Sequence, residues 1–185
     1  VNPDFGQVEA DPALLNLSAF EVRFDERRPF FLEGNALFRC SGPCEGLFYT
    51  RRVGRTPQLR TSSADPAFTT ILGAAKVTGR IGKGVSIGIS EAVTRREVGI
   101  SGNTIEPQTN YFAARMVKEM RGGSSQVGIM VTDTRRTLDS VTRPLLRSDA
   151  SVLLVQGFHR FAGNTYEISG YSGQVGVNGS QQAIA

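Results

Sequence analysis

Several residue types that mark common functional sites are scarce or absent in this chain of 185 residues. It has no Trp and a single His, His159. One imidazole excludes every zinc site that needs two, and it allows at most one Ser–His–Asp arrangement. The mean hydropathy of −0.16 excludes a bundle of membrane helices, whereas 39% hydrophobic residues are too many for a disordered chain. Because the chain begins at Val1 without the features of a signal peptide, we expect it to be an internal piece of a longer protein.

Motifs for nucleotide, zinc-protease and serine-hydrolase sites are missing as well. The sequence contains no GxGxxG, GxxxxGK[ST], HExxH or GxSxG pattern. The isoelectric point is near 9.4, but the basic residues are scattered singly or in pairs without interleaved aromatic residues. The pattern therefore predicts no nucleic-acid partner. We also expect no cofactor, no metal and no catalytic residue that the sequence can identify.

The only two cysteines, Cys40 and Cys44, lie in the sequence Cys-Ser-Gly-Pro-Cys. A tight Gly-Pro turn would bring their Cα atoms within the ~4.4–6.8 Å that a disulfide needs. A local disulfide in an oxidising compartment is the favoured interpretation. A redox pair is less favoured because the spacing is not CxxC.

Charge and aromatic residues divide the chain in two. Residues 1–45 carry a net charge of −4, and residues 46–185 carry +8. Seven of the eleven Phe occur by residue 48. We therefore separate an acidic, Phe-rich segment, residues 1–46, from residues 47–185. The first segment is expected to hold a strand or irregular structure, with one short helical turn near residues 29–34.

The second segment shows the alternation of β-strands. In residues 69–81, Ile71, Val77 and other apolar or small residues alternate with polar ones. Three such runs turn at residues 82–84, 121–125 and 162–164 and return with the same period. The links between hairpins, residues 97–109 and 133–150, are longer. Short turns that alternate with long loops are typical of outer-membrane β-barrels.

This pattern predicts an all-β fold, an antiparallel meander of hairpins that forms the N-terminal portion of a transmembrane β-barrel. Its apolar face would meet lipid, and its polar face would line a wet lumen. The charged residues expected to face the lumen are Lys76, Arg80, Arg96, Arg115 and Glu119. A soluble β-sandwich or lipocalin-like barrel, with its apolar face inward, would alternate in the same way.

Several sequence stretches carry a resemblance that favours the membrane alternative. They are Asn2-Pro-Asp-Phe-Gly-Gln-Val-Glu-Ala-Asp-Pro, residues 26–34 (ERRPFFLEG), 47–55 (LFYTRRVGR), 71–80 (ILGAAKVTGR) and 106–112 (EPQTNYF). The chain resembles a family of bacterial surface proteins in which a domain of unknown function, similar to an outer-membrane β-barrel, follows a family-nine-type carbohydrate-binding module. The resemblance implies a bacterial outer-membrane location and membrane lipid as a partner. It also implies that carbohydrate is bound by a module outside this chain.

Three functions remain open at this point. The leading hypothesis is a non-enzymatic barrel that anchors, or passes material for, a surface carbohydrate-binding module. A membrane-associated glycan hydrolase is the alternative, because a pair of acids can cleave a glycosidic bond. The dense carboxylates that raise this alternative are Asp4, Glu9, Asp11, Glu21, Glu26 and Glu33. A soluble ligand-binding β-domain is the third.

The opposite charges of the two segments predict where the first one packs. Cationic side chains confined in a lumen repel one another, and an acidic segment folded inward would relieve that repulsion. We therefore expect part of residues 21–34 to lie inside the barrel or across its mouth. Arg27, Arg28 and Glu33 would form ion pairs, and Phe30 and Phe31 would be apolar anchors.

Overall fold

The computed structural model describes residues 23–39 and 46–184. The strands are β1 Ile71–Arg80, β2 Val85–Thr94, β3 Glu97–Val98, β4 Thr104–Glu106, β5 Gln108–Met120, β6 Ser125–Thr137, β7 Asp149–Phe161 and β8 Tyr166–Asn178. The helices are α1 Pro29–Leu32, α2 Gln181–Ile184 and the 3-10 turns Asn35–Leu37, Thr50–Arg52 and Arg121–Gly123. The helical turn expected near residues 29–34 is α1. The proposed disulfide of Cys40 and Cys44 lies outside the described residues.

Six strands form one antiparallel sheet in the order β1-β2-β5-β6-β7-β8, and β3 pairs with β4. The expected all-β meander of hairpins is therefore confirmed. Tight turns join β1 to β2, β5 to β6 and β7 to β8, whereas the β3–β4 hairpin and residues 138–148 fill the longer links. Among the described residues, β1 and β8 do not pair with each other, so this sheet has two open edges.

The first turn needs glycine at a specific position. Gly84 has φ +74°, and a Cβ built there would lie 2.7 Å from the carbonyl oxygen of Glu119. The amide of Glu119 donates to the carbonyl oxygen of Gly84 over 2.8 Å. A side chain at this position would therefore be strained and would also break the contact between the β1–β2 turn and β5.

The sheet has two different faces, because successive residues of a strand point to opposite sides. Residues 23–39 and 46–53 pack on one of them, which we call the covered face; the opposite one is the open face. Phe31 and Val53 pack there with Ile71, Ala92 and Tyr111 of the sheet. Further along the same face, Leu47 and Phe48 pack against Met130 and Leu154.

The alternation of β1 breaks at its first residues. The sequence pattern places Ile71 beside Val77, but Ile71 is 6% exposed on the covered face, whereas Leu72 is 47% exposed. The pairing with β2 shifts register between Ile71 and Gly73. A bulge adds one residue to the strand and so moves the preceding side chain to the other face.

No helix among the described residues is long and apolar enough to cross a membrane.

Candidate functional site

A buried ion pair attaches the N-terminal segment to the residues that follow it. Arg28 binds the Glu26 carboxylate through Nε and a terminal nitrogen, each over 2.8 Å. The same guanidinium donates to the carbonyl oxygens of Val53, over 2.7 Å, and Thr50, over 2.9 Å. It also lies 4.2 Å from the ring centroid of Phe31. Glu26 and Arg28 are both 8% exposed.

Glu26 is held in its ionised form. Burial would raise the pKa of its carboxyl group, but hydrogen bonds from Arg28 and Thr50 outweigh burial and lower that pKa to about 2. The Thr50 hydroxyl donates to Glu26 over 2.6 Å. A carboxylate with these donors is unsuited to act as a general acid near neutral pH.

A lysine of β1 binds the backbone of the same segment. Lys76 Nζ donates to the carbonyl oxygens of Phe30 and Glu33. Its ammonium also lies 5.0 Å from the ring centroid of Phe30, which in turn packs edge to face on Phe31. A residue expected to line the lumen therefore contacts the segment expected to pack there.

Close packing on β2 leads to a first prediction. A Cβ built on Gly88 would lie 2.9 Å from Leu37 and 3.0 Å from Phe38. Gly88→Val should lower the free energy of unfolding by about 1–3 kcal/mol, because the added methyl groups push residues 35–38 away from the sheet. Urea unfolding of the full-length protein measures this change. Gly79→Val is the control, since nothing lies within 4 Å of a Cβ there, and an equal loss in both variants would contradict the packing argument.

Four of the five predicted lumen charges share the covered face. Lys76 and Arg80 lie on β1, and Arg115 and Glu119 lie on β5. Arg80 and Glu119 form an exposed ion pair of 2.9 Å. Arg115 is 6% exposed and stands between Gly88 and Met130 in the register. Arg96 lies beyond the end of β2, exposed and outside the six-stranded sheet.

The residues expected to anchor the N-terminal segment differ in their burial and in their partners. Phe31 is buried at 2% exposure and Phe30 is half-buried. The carboxylate partner of Arg28 is Glu26, which the sequence pattern does not distinguish from neighbouring acids. Arg27 and Glu33 are exposed, and Glu33 contributes its backbone carbonyl to Lys76.

A pocket of about 120 Å³ lies on the covered face beside residues 47–53. Its walls combine aromatic, hydroxyl and aliphatic side chains. Tyr49, Arg52, Tyr111, Thr132 and Thr134 are among the residues that line it. The alternation of β6 predicts that the two threonines share a face. They line a pocket only because residues 47–53 pack beside them.

Polar clusters hold the long links near this end of the sheet. Asp65 accepts hydrogen bonds from the amides of Ile100, over 2.8 Å, and Ser62, over 3.0 Å, and these bonds lower the pKa of its carboxyl group. Asp139 accepts from the Thr104 hydroxyl over 2.5 Å, and this bond contributes most to lowering the Asp139 pKa to about 2. The long links are thus fixed by carboxylates that bind backbone and hydroxyl donors.

The open face is apolar and exposed. Val77, Ile89, Met116, Val127, Ile129, Leu153, Val155 and Ile168 lie on it, each at least 36% exposed. The register places them in continuous rows, for example Ile87 opposite Met116, Met116 opposite Ile129, and Ile129 opposite Val155. Strand β8 also has exposed apolar side chains on the covered face, because Tyr171 and Val175 project from that side.

The comparisons with known proteins identify the family. The chain matches the family described as "Domain of unknown function (DUF5916)" over residues 1–174. It therefore belongs to that family. No curated protein and no solved structure matches it.

Proposed function

We propose that residues 71–178 are part of the wall of a bacterial outer-membrane β-barrel and that residues 23–39 pack in its lumen. In this proposal the barrel anchors, or passes material for, a carbohydrate-binding module outside this chain. The observation that carries the proposal is the exposed apolar side chains in rows across the open face. Exposed apolar side chains that continue across all six strands, rather than occurring singly, mark a surface that needs an apolar partner.

Strand length supports lipid as that partner. The last four strands of the sheet have 13 residues each. At ~3.4 Å per residue such a strand is ~44 Å long, and a tilt of ~45° gives it a height of ~31 Å. The hydrocarbon core of a bilayer is ~30 Å thick. The strands are therefore long enough to span it.

Aromatic side chains at one end of the sheet also support strands that span a membrane. His159, Phe161 and Tyr166 stack beside the tight turn between β7 and β8, with centroid distances of 6.1 Å and 5.6 Å. Outer-membrane barrels carry aromatic residues at the level of the lipid headgroups. These rings would lie at the interface on the short-turn side, which is periplasmic in such barrels.

The covered face has the properties of a lumen. It carries Lys76, Arg80, Arg115 and Glu119, and residues 23–39 pack on it. In lipid these charges would be costly, whereas a polar lumen solvates or pairs them. The Glu26 carboxylate is already bound by Arg28 and Thr50, which argues against a paired-acid hydrolase built on this segment.

Site-directed spin labelling of the full-length protein in lipid vesicles tests the proposal. One nitroxide is placed at Val131 on the open face and another at Thr132 on the covered face, with Cys40 and Cys44 replaced by Ser. We expect the label at position 131 to collide with oxygen and to be shielded from a water-soluble nickel complex. The label at position 132 should show the lower ratio of oxygen to nickel collisions.

A second pair of labels repeats the test on β7, with Leu153 on the open face and Val152 on the covered face. The same difference between the two ratios is expected. Equal oxygen-to-nickel ratios at neighbouring positions would contradict a lipid-facing surface. Recovery of the full-length protein in the soluble fraction, away from outer membranes, would instead favour the soluble ligand-binding β-domain.

A further inference from the structure

Polar residues end the apolar run of the open face on three successive strands. On β5 they are Lys118 and Asn110, and the three residues between them on this face are apolar. Eight positions separate Lys118 from Asn110. The same separation recurs on β6 and β7, where the residues between are apolar or glycine. The three runs therefore have the same length along their strands.

Polar contacts mark the end of these runs near the tight turns. On β6 and β7 this end is Ser125 and His159, which face each other in the register. Ser125 Oγ lies 2.8 Å from His159 Nδ1. Lys118 ends the run on β5, and its ammonium donates to the carbonyl oxygen of Lys83 in the turn between β1 and β2. The polar groups at this boundary thus bind one another or the turn.

Charged and polar pairs mark the end of the runs near the long links. Asn110 donates to the Glu91 carboxylate of β2 over 2.8 Å. Asp133 of β6 forms an ion pair of 2.7 Å with Arg135, and Ser151 of β7 faces Asp133 in the register. All five side chains belong to the open face by the alternation of their strands. This end of the open face is therefore polar on four strands.

The two boundaries shift together from one strand to the next. At the tight-turn end, Lys118 pairs with Val127, so the β6 boundary at Ser125 lies two residues closer to the turn. At the long-link end, Asp133 pairs with Phe112, so this boundary also lies two residues closer to the turn on β6 than on β5. Tilted strands of a barrel wall are staggered in this way. The boundaries stay parallel, as the two surfaces of one layer do.

The height between the boundaries is small for a membrane protein. Eight residues at ~3.4 Å each cover ~27 Å along the strand, and a tilt of ~45° leaves ~19 Å of height. A typical bilayer has a hydrocarbon core of ~30 Å, and outer-membrane barrels carry an apolar band of ~25 Å. The pair of Asp133 and Arg135 would be costly inside hydrocarbon. The strands can reach across a membrane, but only their apolar runs suit lipid tails.

We propose that β5, β6 and β7 contact lipid tails only between these boundaries, and that this surface fits a thin bilayer with a hydrocarbon core of about 19 Å. The polar groups at each boundary match the polarity of a headgroup layer. Ile129, midway between Ser125 and Asp133, would lie at the bilayer centre. The proposal excludes β8, where Ser172 and Gln174 replace apolar residues on the open face. It rests on the proposed function and adds the kind of bilayer.

Spin labels along β6 test where the boundaries lie. The full-length protein, with both cysteines replaced by Ser, carries one nitroxide at Val127, Ile129, Val131 or Asp133 in vesicles of dilauroylphosphatidylcholine. The ratio of oxygen to nickel collisions should be highest at Ile129 and should fall on both sides. It should be lowest at Asp133, because that position lies among the headgroups. A ratio at Asp133 as high as at Ile129 would overturn the inference.

Bilayer thickness supplies a second test. Urea unfolding of the full-length protein is compared in vesicles of dilauroylphosphatidylcholine and of dioleoylphosphatidylcholine, which has the thicker hydrocarbon core. We expect a higher unfolding midpoint in the thinner bilayer, because there the tails end where the apolar runs end. Asp133→Leu/Arg135→Leu lengthens the run on β6 and should therefore reduce or reverse the difference between the two lipids.

A pair on the covered face is the matched control. Arg80 and Glu119 form an exposed ion pair of 2.9 Å. Arg80→Leu/Glu119→Leu should leave the difference between the two lipids unchanged, whatever it does to both midpoints, because this pair does not face lipid. An equal shift of that difference in both double variants would overturn the inference. An unchanged protein with no preference for the thinner bilayer would overturn it as well.

The thin band and the barrel fail separately in these tests. High oxygen-to-nickel ratios at Ile129 and Asp133 alike would overturn the thin band and leave the barrel. Low ratios at all four positions of β6 would overturn the barrel, and the thin band with it.

Discussion

Arg28→Ala is expected to lower the free energy of unfolding by about 3–5 kcal/mol, because it leaves the buried Glu26 carboxylate without its ion partner. The guanidinium also binds the carbonyl oxygens of Thr50 and Val53, which lose their donors in this variant. Urea unfolding of the full-length protein in detergent measures the loss. The N-terminal segment should also become more sensitive to protease, because this pair links it to residues 50–53.

An exposed arginine–glutamate pair with a similar nitrogen–oxygen distance is the matched control. Arg160 and Glu167 lie 2.7 Å apart with side chains 45% and 42% exposed. Arg160→Ala should cost about 0–1 kcal/mol, because solvent screens this pair. The double variant Glu26→Gln/Arg28→Met should recover part of the loss, since it leaves no unpaired buried charge. Equal losses for Arg28→Ala and Arg160→Ala would show that the buried pair has no special role.

The same pair predicts a dependence of stability on pH. The pKa of Glu26 is about 2 in the folded protein and 4.5 without the fold. Because the folded-state pKa is the lower one, the pair stabilises the fold fully above pH 4.5 and loses this contribution as pH falls towards 2. The stability difference between the unchanged protein and Glu26→Gln should therefore shrink across this range. A difference that stays constant from pH 6 to pH 3 would contradict the lowered pKa.

Ile129→Arg is expected to destabilise the membrane-inserted protein by about 2–4 kcal/mol, because a charge on the lipid face must enter the hydrocarbon. Ile129 lies on β6 with Met116 and Val155 beside it on the open face. Unfolding of the full-length protein from lipid vesicles measures the loss. Assembly into the outer membrane should fall as well.

Tyr171→Arg is the control on the covered face. Tyr171 is 67% exposed and Ile129 is 36% exposed, so both positions have room for a longer side chain. If lipid covers only the open face, Tyr171→Arg should change stability by less than about 1 kcal/mol. Equal tolerance of both variants would mean that water, not lipid, covers Ile129.

The hairpins of this protein could be predicted from the sequence because they depend on local properties. Alternation with period two places Ile87, Ile89 and Val127 on one face whatever packs against it. Glycines with positive φ, such as Gly84, mark the turns. The shared face of Lys76, Arg80, Arg115 and Glu119 follows from the same alternation.

The sites between segments could not be predicted in this way. The partners of Arg28 at positions 50 and 53 are 22 and 25 residues away, and no spacing rule joins them. Tyr49 and Thr134 line one pocket only because residues 47–53 pack beside β5 and β6. Arg96 belongs to the same alternation as β2, but the strand ends at Thr94 and leaves it outside the sheet.

The sequence alone determined the strands, the tight turns and the two chemically different faces, since each depends on residues close together in the chain. Only the tertiary structure decided that Ile71 crosses to the covered face through a bulge and that Arg28 binds the carbonyl oxygens of Thr50 and Val53. It also decided that residues 47–53 and the sheet form a pocket beside Tyr111. The physical reason is that side chains distant in sequence find their partners through packing, which local periodicity does not encode.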